Sequence, residues 1–282
     1  MSGAIAFPLF IDGRAGRLFA IHVAPARDKD CTGEAVLYLP PFAEEMNRAR
    51  RMAVLQARVL AARGVGTLIF DPYGTGDSEG DFEKSGWEIW QNDTQSGLAW
   101  LDAQGYQRFS LIGLRLGACL ALDVAAKIPD IDLSRLVLWQ PVQRGEIFLN
   151  HFLRIRIAAG LRDGTGTGKE TVSALRRRLA QGEILEIAGY GLTPELAAAI
   201  DAMNIVDLAL KCSRPLAWVE LAPQAETGLT PASQAAIERL SGAGLDVRAE
   251  VVVGPPFWSI EETTLIPELC ARTAELWNDG VR

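Results

Sequence analysis

The chain has 282 residues, 49% of them hydrophobic and 22% charged, which suffices for one large core and lies far from disordered or fibrous compositions. Its 28 basic residues face 35 acidic ones, a formal net charge of −7 that argues against a general nucleic-acid binder, because phosphate recognition needs a basic surface. Cys31, Cys119, Cys212 and Cys270 are scattered with no CxxC pair, so neither a disulfide framework nor a zinc site is expected, and reduced thiols fit a cytoplasm.

The opening MSGAIAFPLFIDG lacks a basic n-region, and Pro8 and Asp12 interrupt its apolar run, so no signal peptide is expected. No stretch has the length and lack of charge of a membrane span. The expectation is a soluble, cytoplasmic protein. Residues 5–24 alternate turns and apolar runs, with Asp12-Gly13 as a hairpin turn. AVLYLP at 35–40 predicts a buried strand, and the amphipathic stretch 47–64, closed by Gly64, a helix. A strand and a Gly-rich loop follow within 66–80, then a helix over 86–105, a strand over 108–114, a helix over 116–128 and a strand within 133–141.

Such strict alternation predicts an α/β fold: a mostly parallel central sheet with helices on both faces, and sites at the carboxyl ends of the strands. The alternation stops after Pro141. Residues 142–210 are mostly helical in pattern and read as a cap inserted into one α/β core formed by 1–141 and 211–282. Sheet patterns return at 215–221 and 246–254, and a helical stretch over 261–278 closes the chain. Within the cap, DGTGTGKE at 163–170 invites comparison with a phosphate-binding loop. It lacks the first glycine, the Ser/Thr after the lysine and a preceding strand, and reads as a flexible linker.

The run FSLIGLRLGACL at 109–120 takes a strand through Gly-x-Arg-x-Gly into a helix. DPYGTGDSEG (71–80), LPPF (39–42) and GPPFW (254–258) stand at the ends of other strands in matching order. With these pieces the chain resembles the α/β-hydrolase superfamily over nearly its whole length, and GLRLG at 113–117 is similar to that family's nucleophile elbow. Gly113 and Gly117 suit the crowded turn, but the position of the nucleophile is held by Arg115. An arginine stays protonated and offers only donors, so it is no nucleophile.

The base is missing too. The only histidines, His22 and His151, do not follow the last strand, and Pro255-Pro256 occupy that place. His22 reads as a surface or satisfied residue and His151 as a cap residue. Where the family offers a Gly-x-x-Asp turn, this sequence has APQAE, leaving Glu220 and Glu226 as remnants. The resemblance leaves the backbone N–H groups of Phe42 and Leu116 as oxyanion-hole donors, since Pro40 and Pro41 have none. Arg115 needs an anion: an internal carboxylate from Glu44, Glu45 or Asp71, expected on loops beside the elbow, or a ligand. Ser78, Cys119 and the Trp87/Trp90 pair read as structural, and the Arg run 176–178 either as a solvated face or as help for an acidic ligand.

LPPFAEEMNRARRM, WEIWQND, GLRLGA and LWQPVQRGEIFLNHFLRIRIA are together similar to the exosortase A system-associated hydrolases, the type numbered 2, over roughly residues 36–160. That resemblance implies a setting near PEP-CTERM protein sorting and exopolysaccharide production. The reading is of a hydrolase-fold protein without Ser-His-Asp chemistry that binds a small acyl or anionic ligand or a partner protein. Its alternative is an acyl ester or thioester hydrolase or acyltransferase, with Glu45, Asp71 or Glu220 activating water beside Arg115. No cofactor or metal is implied.

Overall fold

The structure is a computed structural model and describes residues 5–26, 31–162 and 170–277. Of the run DGTGTGKE (163–170) that reads as a linker, all but Glu170 lies outside them. Ten strands and nine α-helices are described: β1 (Ala6–Asp12), β2 (Arg17–Val23), β3 (Glu34–Leu39), α1 (Glu44–Ala61), β4 (Gly66–Phe70), α2 (Trp87–Ala103), β5 (Arg108–Leu114), α3 (Leu116–Lys127), β6 (Leu133–Trp139), α4 (Gly145–Arg162), α5 (Val172–Ala180), β7 (Leu185–Ile187), β8 (Tyr190–Leu192), α6 (Pro194–Asp201), α7 (Ile205–Cys212), β9 (Leu216–Ala222), α8 (Pro231–Gly242), β10 (Val247–Val253) and α9 (Pro267–Glu275).

Eight strands form one sheet in the order β1-β2-β4-β3-β5-β6-β9-β10. From β4 to β10 every neighbouring pair is parallel, while β1 and β2 add an antiparallel edge. β3 is buried along its whole length, as its unbroken EAVLYL run requires of a strand covered on both faces. One face packs against α2, α3, α7 and α8 around Leu37, Leu111 and Trp218; the other packs against α1 and α9 around Tyr38, Met52 and Trp139. The parallel sheet with helices on both faces is as the alternation of patterns predicts.

Register then fixes the site. Leu39 pairs with Gly113, Leu114 with Trp139, and Trp139 with Val219, so the carboxyl ends of β3, β5, β6 and β9 share one rim. At the opposite rim Glu34 accepts from Ser110 Oγ (2.6 Å), Arg135 Nη1 (2.8 Å) and Trp277 Nε1 (2.9 Å), closing the base of the sheet.

Between β6 and β9 run α4, α5, α6 and α7, with β7 and β8 paired as a small antiparallel hairpin that helical patterning does not predict. Entry and exit of this segment are stitched together: Gly145 N–H donates to Met203 O (2.8 Å) and Ile205 N–H to Gln143 O (3.0 Å). A side chain at Gly145 would collide with the carbonyl of Ile200. From α4, Phe148 and Phe152 descend edge-on onto Phe42 at centroid distances of 5.7 and 5.0 Å, the geometry aromatic pairs prefer.

Candidate functional site

At the rim, β5 turns sharply into α3 and Arg115 is the vertex, with φ 57° and ψ −117°. A residue with a Cβ pays roughly 1–3 kcal/mol for such a conformation. The turn persists because its flanks are over-determined. A Cβ on Gly113 would strike the backbone of Gly117 and Ala118, and one on Gly117 the carbonyl oxygens of Leu39 and Pro40. Arg115 N–H donates to Trp139 O (3.0 Å), and its carbonyl accepts from Ala118 and Val142. The two glycines thus do what the motif asks of them: α3 is pressed against the end of β3.

The side chain of Arg115 stands over the rim between two aromatic walls. Its guanidinium carbon lies 5.3 Å from the ring centre of Trp258 and 6.0 Å from that of Phe148. Nε reaches Glu45 Oε1 at 3.5 Å and Nη1 reaches the carbonyl of Gln140 at 3.4 Å, both long for charge-assisted bonds. Arg115 and Glu45 keep 22% of their side-chain surface open. Glu45 Oε2 is nevertheless enclosed without a partner among the described residues. The surrounding protein raises the proton affinity of Glu45 above that of an ordinary carboxyl, and Arg115 opposes the rise.

Trp258 occupies the loop after β10 and is buried with Phe257. Arg48 Nη1 ties that loop to α1 through Ser259 O (2.8 Å). Neither histidine bonds to Arg115 or Glu45 among the described residues. His22, half-buried on β2, sits 3.1 Å from the Tyr106 hydroxyl, with burial lowering its pKa. His151 is exposed on α4.

The remaining carboxylates separate. Asp71 is buried and committed elsewhere: its Oδ2 takes Arg50 Nη2 at 2.8 Å and the Asp77 N–H at 3.0 Å. It shapes the 71–80 loop and leaves Arg115 to others. Ser78 serves the same loop, donating to Asp71 O (2.6 Å) and accepting from the Phe19 N–H (2.8 Å). Glu44 and Glu45 belong to the first turn of α1, where the sequence suggested a loop. Glu44 turns outward to Asn47 and Tyr190. Glu220 is 1% exposed on β9; Oε1 accepts from the Thr230 N–H at 3.2 Å and Oε2 has no partner among the described residues. Glu226 is exposed. Only Glu45 is brought to Arg115.

Phe42 and Leu116 line one cavity of about 20 Å³ with Pro40, Pro41, Ala43, Met46, Trp87, Trp90 and Leu120, room for about one water molecule. The first N–H groups of α3, those of Leu116 and Gly117, have no intrahelical acceptor. Cys119 is fully buried, donates to Val142 O, and burial pushes its thiol up to about 12, so it stays a protonated packing residue. Trp90 is core, and Trp87 donates to Asp123 Oδ2 (2.8 Å). In the Arg run, Arg176 pairs with Asp201 and Arg178 with Glu170 and Glu183, so two of the three cations are neutralised within residues 142–210. No group of His, Cys, Asp and Glu among the described residues is arranged to hold a metal. No described helix is long and apolar enough to cross a membrane.

Sequence reasoning missed the aromatic walls. Trp258 was legible as part of the loop after the last strand, but nothing in GPPFW says that its ring turns to Arg115. Phe148 carried no signal beyond helical spacing.

By sequence, no family model and no curated protein matches the chain. By structure it is similar to Est1E of Butyrivibrio proteoclasticus in its ferulic acid-bound form, at TM-score 0.66 and 17% identity over 96% of this chain and 97% of that one. An α/β serine hydrolase without a lid from Xanthomonas campestris matches at TM-score 0.57 and 14% identity, over 98% and 97%. A Pyrococcus furiosus esterase matches at TM-score 0.61 and 16% identity, over 98% and 91%. At these identities the likeness is one of fold, and with the strand order and the elbow it makes this chain an α/β-hydrolase fold whose elbow vertex is an arginine.

Proposed function

We propose that this protein binds a small acyl or other anionic ligand at Arg115 and does not hydrolyse esters by Ser-His-Asp chemistry. One observation carries the reading: the vertex of the elbow is a permanent cation, and the residue facing it after β10 is Trp258. A nucleophile that needs deprotonating and a base to deprotonate it are both replaced by groups that can do neither. Triad members act as a unit, so a double replacement removes the mechanism instead of weakening it. What the new groups can do is hold a negative charge between apolar walls. A thermal-shift panel of acyl carboxylates tests this. Ligands should raise the melting temperature of the wild type and leave Arg115→Ala unmoved; equal shifts in both would refute it.

A second reading is supported by the Glu45 carboxylate beside Arg115. Glu45 would activate water for attack on an acyl ester or thioester, with Arg115 steadying the developing oxyanion. It requires turnover that both Glu45→Gln and Arg115→Ala abolish. The setting we propose is the cytoplasm, close to exosortase and PEP-CTERM sorting and exopolysaccharide production, and it rests on the sequence resemblance. Deleting the gene should change exopolysaccharide output, and unchanged output would count against that setting.

A further inference from the structure

The contact between Arg115 and Glu45 is unfinished from both sides. Two arginines that pair with nearly buried carboxylates close to 2.8 Å, Arg50 on Asp71 and Arg135 on Glu34, while Arg156 stands 3.2 Å from Glu170 and Arg48 3.6 Å from Glu44, both at more open sites. Here the approach stops at 3.5 Å. Among the described residues Glu45 Oε2 has no partner, and two of the guanidinium's five N–H groups, one on Nε and one on Nη1, are used, both at long range. A planar guanidinium fork matches a carboxylate with two parallel bonds. Glu45, reaching across from α1, supplies one edge of that match.

The surroundings define what would complete it. On the same helix Glu44 is exposed and the half-buried Arg48 is engaged by Glu44 (3.6 Å) and by Ser259 O (2.8 Å), Tyr190 of β8 bonds Glu44, His151 of α4 is exposed, and the 254–258 loop carries no charge. Arg115 is the charged group that acts on Glu45. One cation between the rings of Phe148 and Trp258 suits a monoanion whose apolar part follows those two walls. A phosphate dianion would leave buried charge unmatched.

We propose that Glu45 is a resident stand-in for a ligand carboxylate: a monocarboxylate displaces it from Arg115, and Glu45 then takes up one proton from solvent. This rests on the reading of Arg115 as an anion site. Two carboxylates cannot both stay ionised on one guanidinium at this depth, and the one that loses its partner protonates. The only bond formed is the O–H of Glu45. Burial already raises its proton affinity, with Arg115 the opposing influence that the ligand would cancel.

Isothermal titration calorimetry with hexanoate, in two buffers of different ionisation enthalpy from about pH 6 to about pH 8, tests it on the whole chain, with inorganic phosphate as comparator. The wild type should bind hexanoate with uptake of about one proton, its affinity falling with rising pH by up to about tenfold per pH unit. Glu45→Gln should bind hexanoate more tightly, with no proton uptake and no pH slope. Binding by Glu45→Gln alone would also support the stand-in, as a stronger block. Wild-type binding without proton uptake, matched by Glu45→Gln, would overturn the inference and leave the anion site intact. Failure of both proteins to bind would overturn the anion site itself. Phosphate binding in preference to hexanoate would contradict the ligand class. The wild-type proton count needs no variant, so a folding defect in Glu45→Gln cannot mask the result.

Discussion

Arg115 keeps the backbone of a nucleophile and none of its chemistry. Replacing it by serine restores the side chain that attacks but not the group that deprotonates it, since His22 lies on β2 against Tyr106 and His151 faces outward. Arg115→Ser should therefore gain no esterase activity against nitrophenyl acyl esters; appreciable turnover would reveal an unrecognised base. Gly117→Ala tests the elbow's sterics. Its new methyl would meet the carbonyls of Leu39 and Pro40, which belong to a strand end that cannot retreat, so a loss of about 1–3 kcal/mol or more is expected in urea denaturation. These glycines were legible in the sequence because GLRLG resembles a nucleophile elbow, whose crowded turn asks for glycine on both flanks. The fate of Asp71 was not. Its place at a strand end was readable, but Arg50 intercepts it from α1, and no local pattern reports a contact between a helix and a loop. Trp258 escaped for the same reason.

Elements show a similar division. β3 to β6 with α1 to α3 follow their apolar periodicity closely because each is buried along a long face. The β7–β8 hairpin, with three residues in each strand, is too short to imprint a period of two on a helical stretch. The last helix is expected over 261–278 and forms as Pro267–Glu275, since Pro267 sets its first turn. Two contacts between elements are open to measurement. Glu34 gathers Ser110, Arg135 and Trp277 at the base of the sheet with 4% of its side chain exposed. Removing it strands a mostly buried guanidinium, so Glu34→Ala should cost about 3–5 kcal/mol in chemical denaturation. Phe42 joins the end of β3 to Phe148 and Phe152 of α4, and Phe42→Ala should cost about 3–5 kcal/mol. A small loss would mean that the segment over the rim packs by other means.

For the molecule as a whole, a mostly parallel sheet covered on both faces was legible from alternation, while the strand order and the chemistry above the sheet depended on contacts between distant segments. Global stability carries one legible pH signature. Asp93, buried in α2, accepts from the Tyr73 N–H at 2.8 Å, leaves Oδ1 unpartnered, and is lifted by burial from 3.8 to about 6. Because the folded state disfavours its charge, this group lowers stability at neutral pH and the penalty is relieved as pH falls from about 7 towards about 4. Asp93→Asn should raise stability at neutral pH by at most about 3 kcal/mol and flatten that part of the pH profile; an unchanged urea midpoint would refute this.

Catalysis separates a binding role for Arg115 from a role in a reaction. The decisive measurement is turnover of short- and long-chain acyl esters and thioesters by the purified wild type beside Arg115→Ala, both confirmed folded. No turnover by either protein is the expected result, and it would move the search to ligands. Turnover by the wild type that vanishes in Arg115→Ala would contradict the account and make Arg115 the electrostatic centre of an enzyme with relocated chemistry.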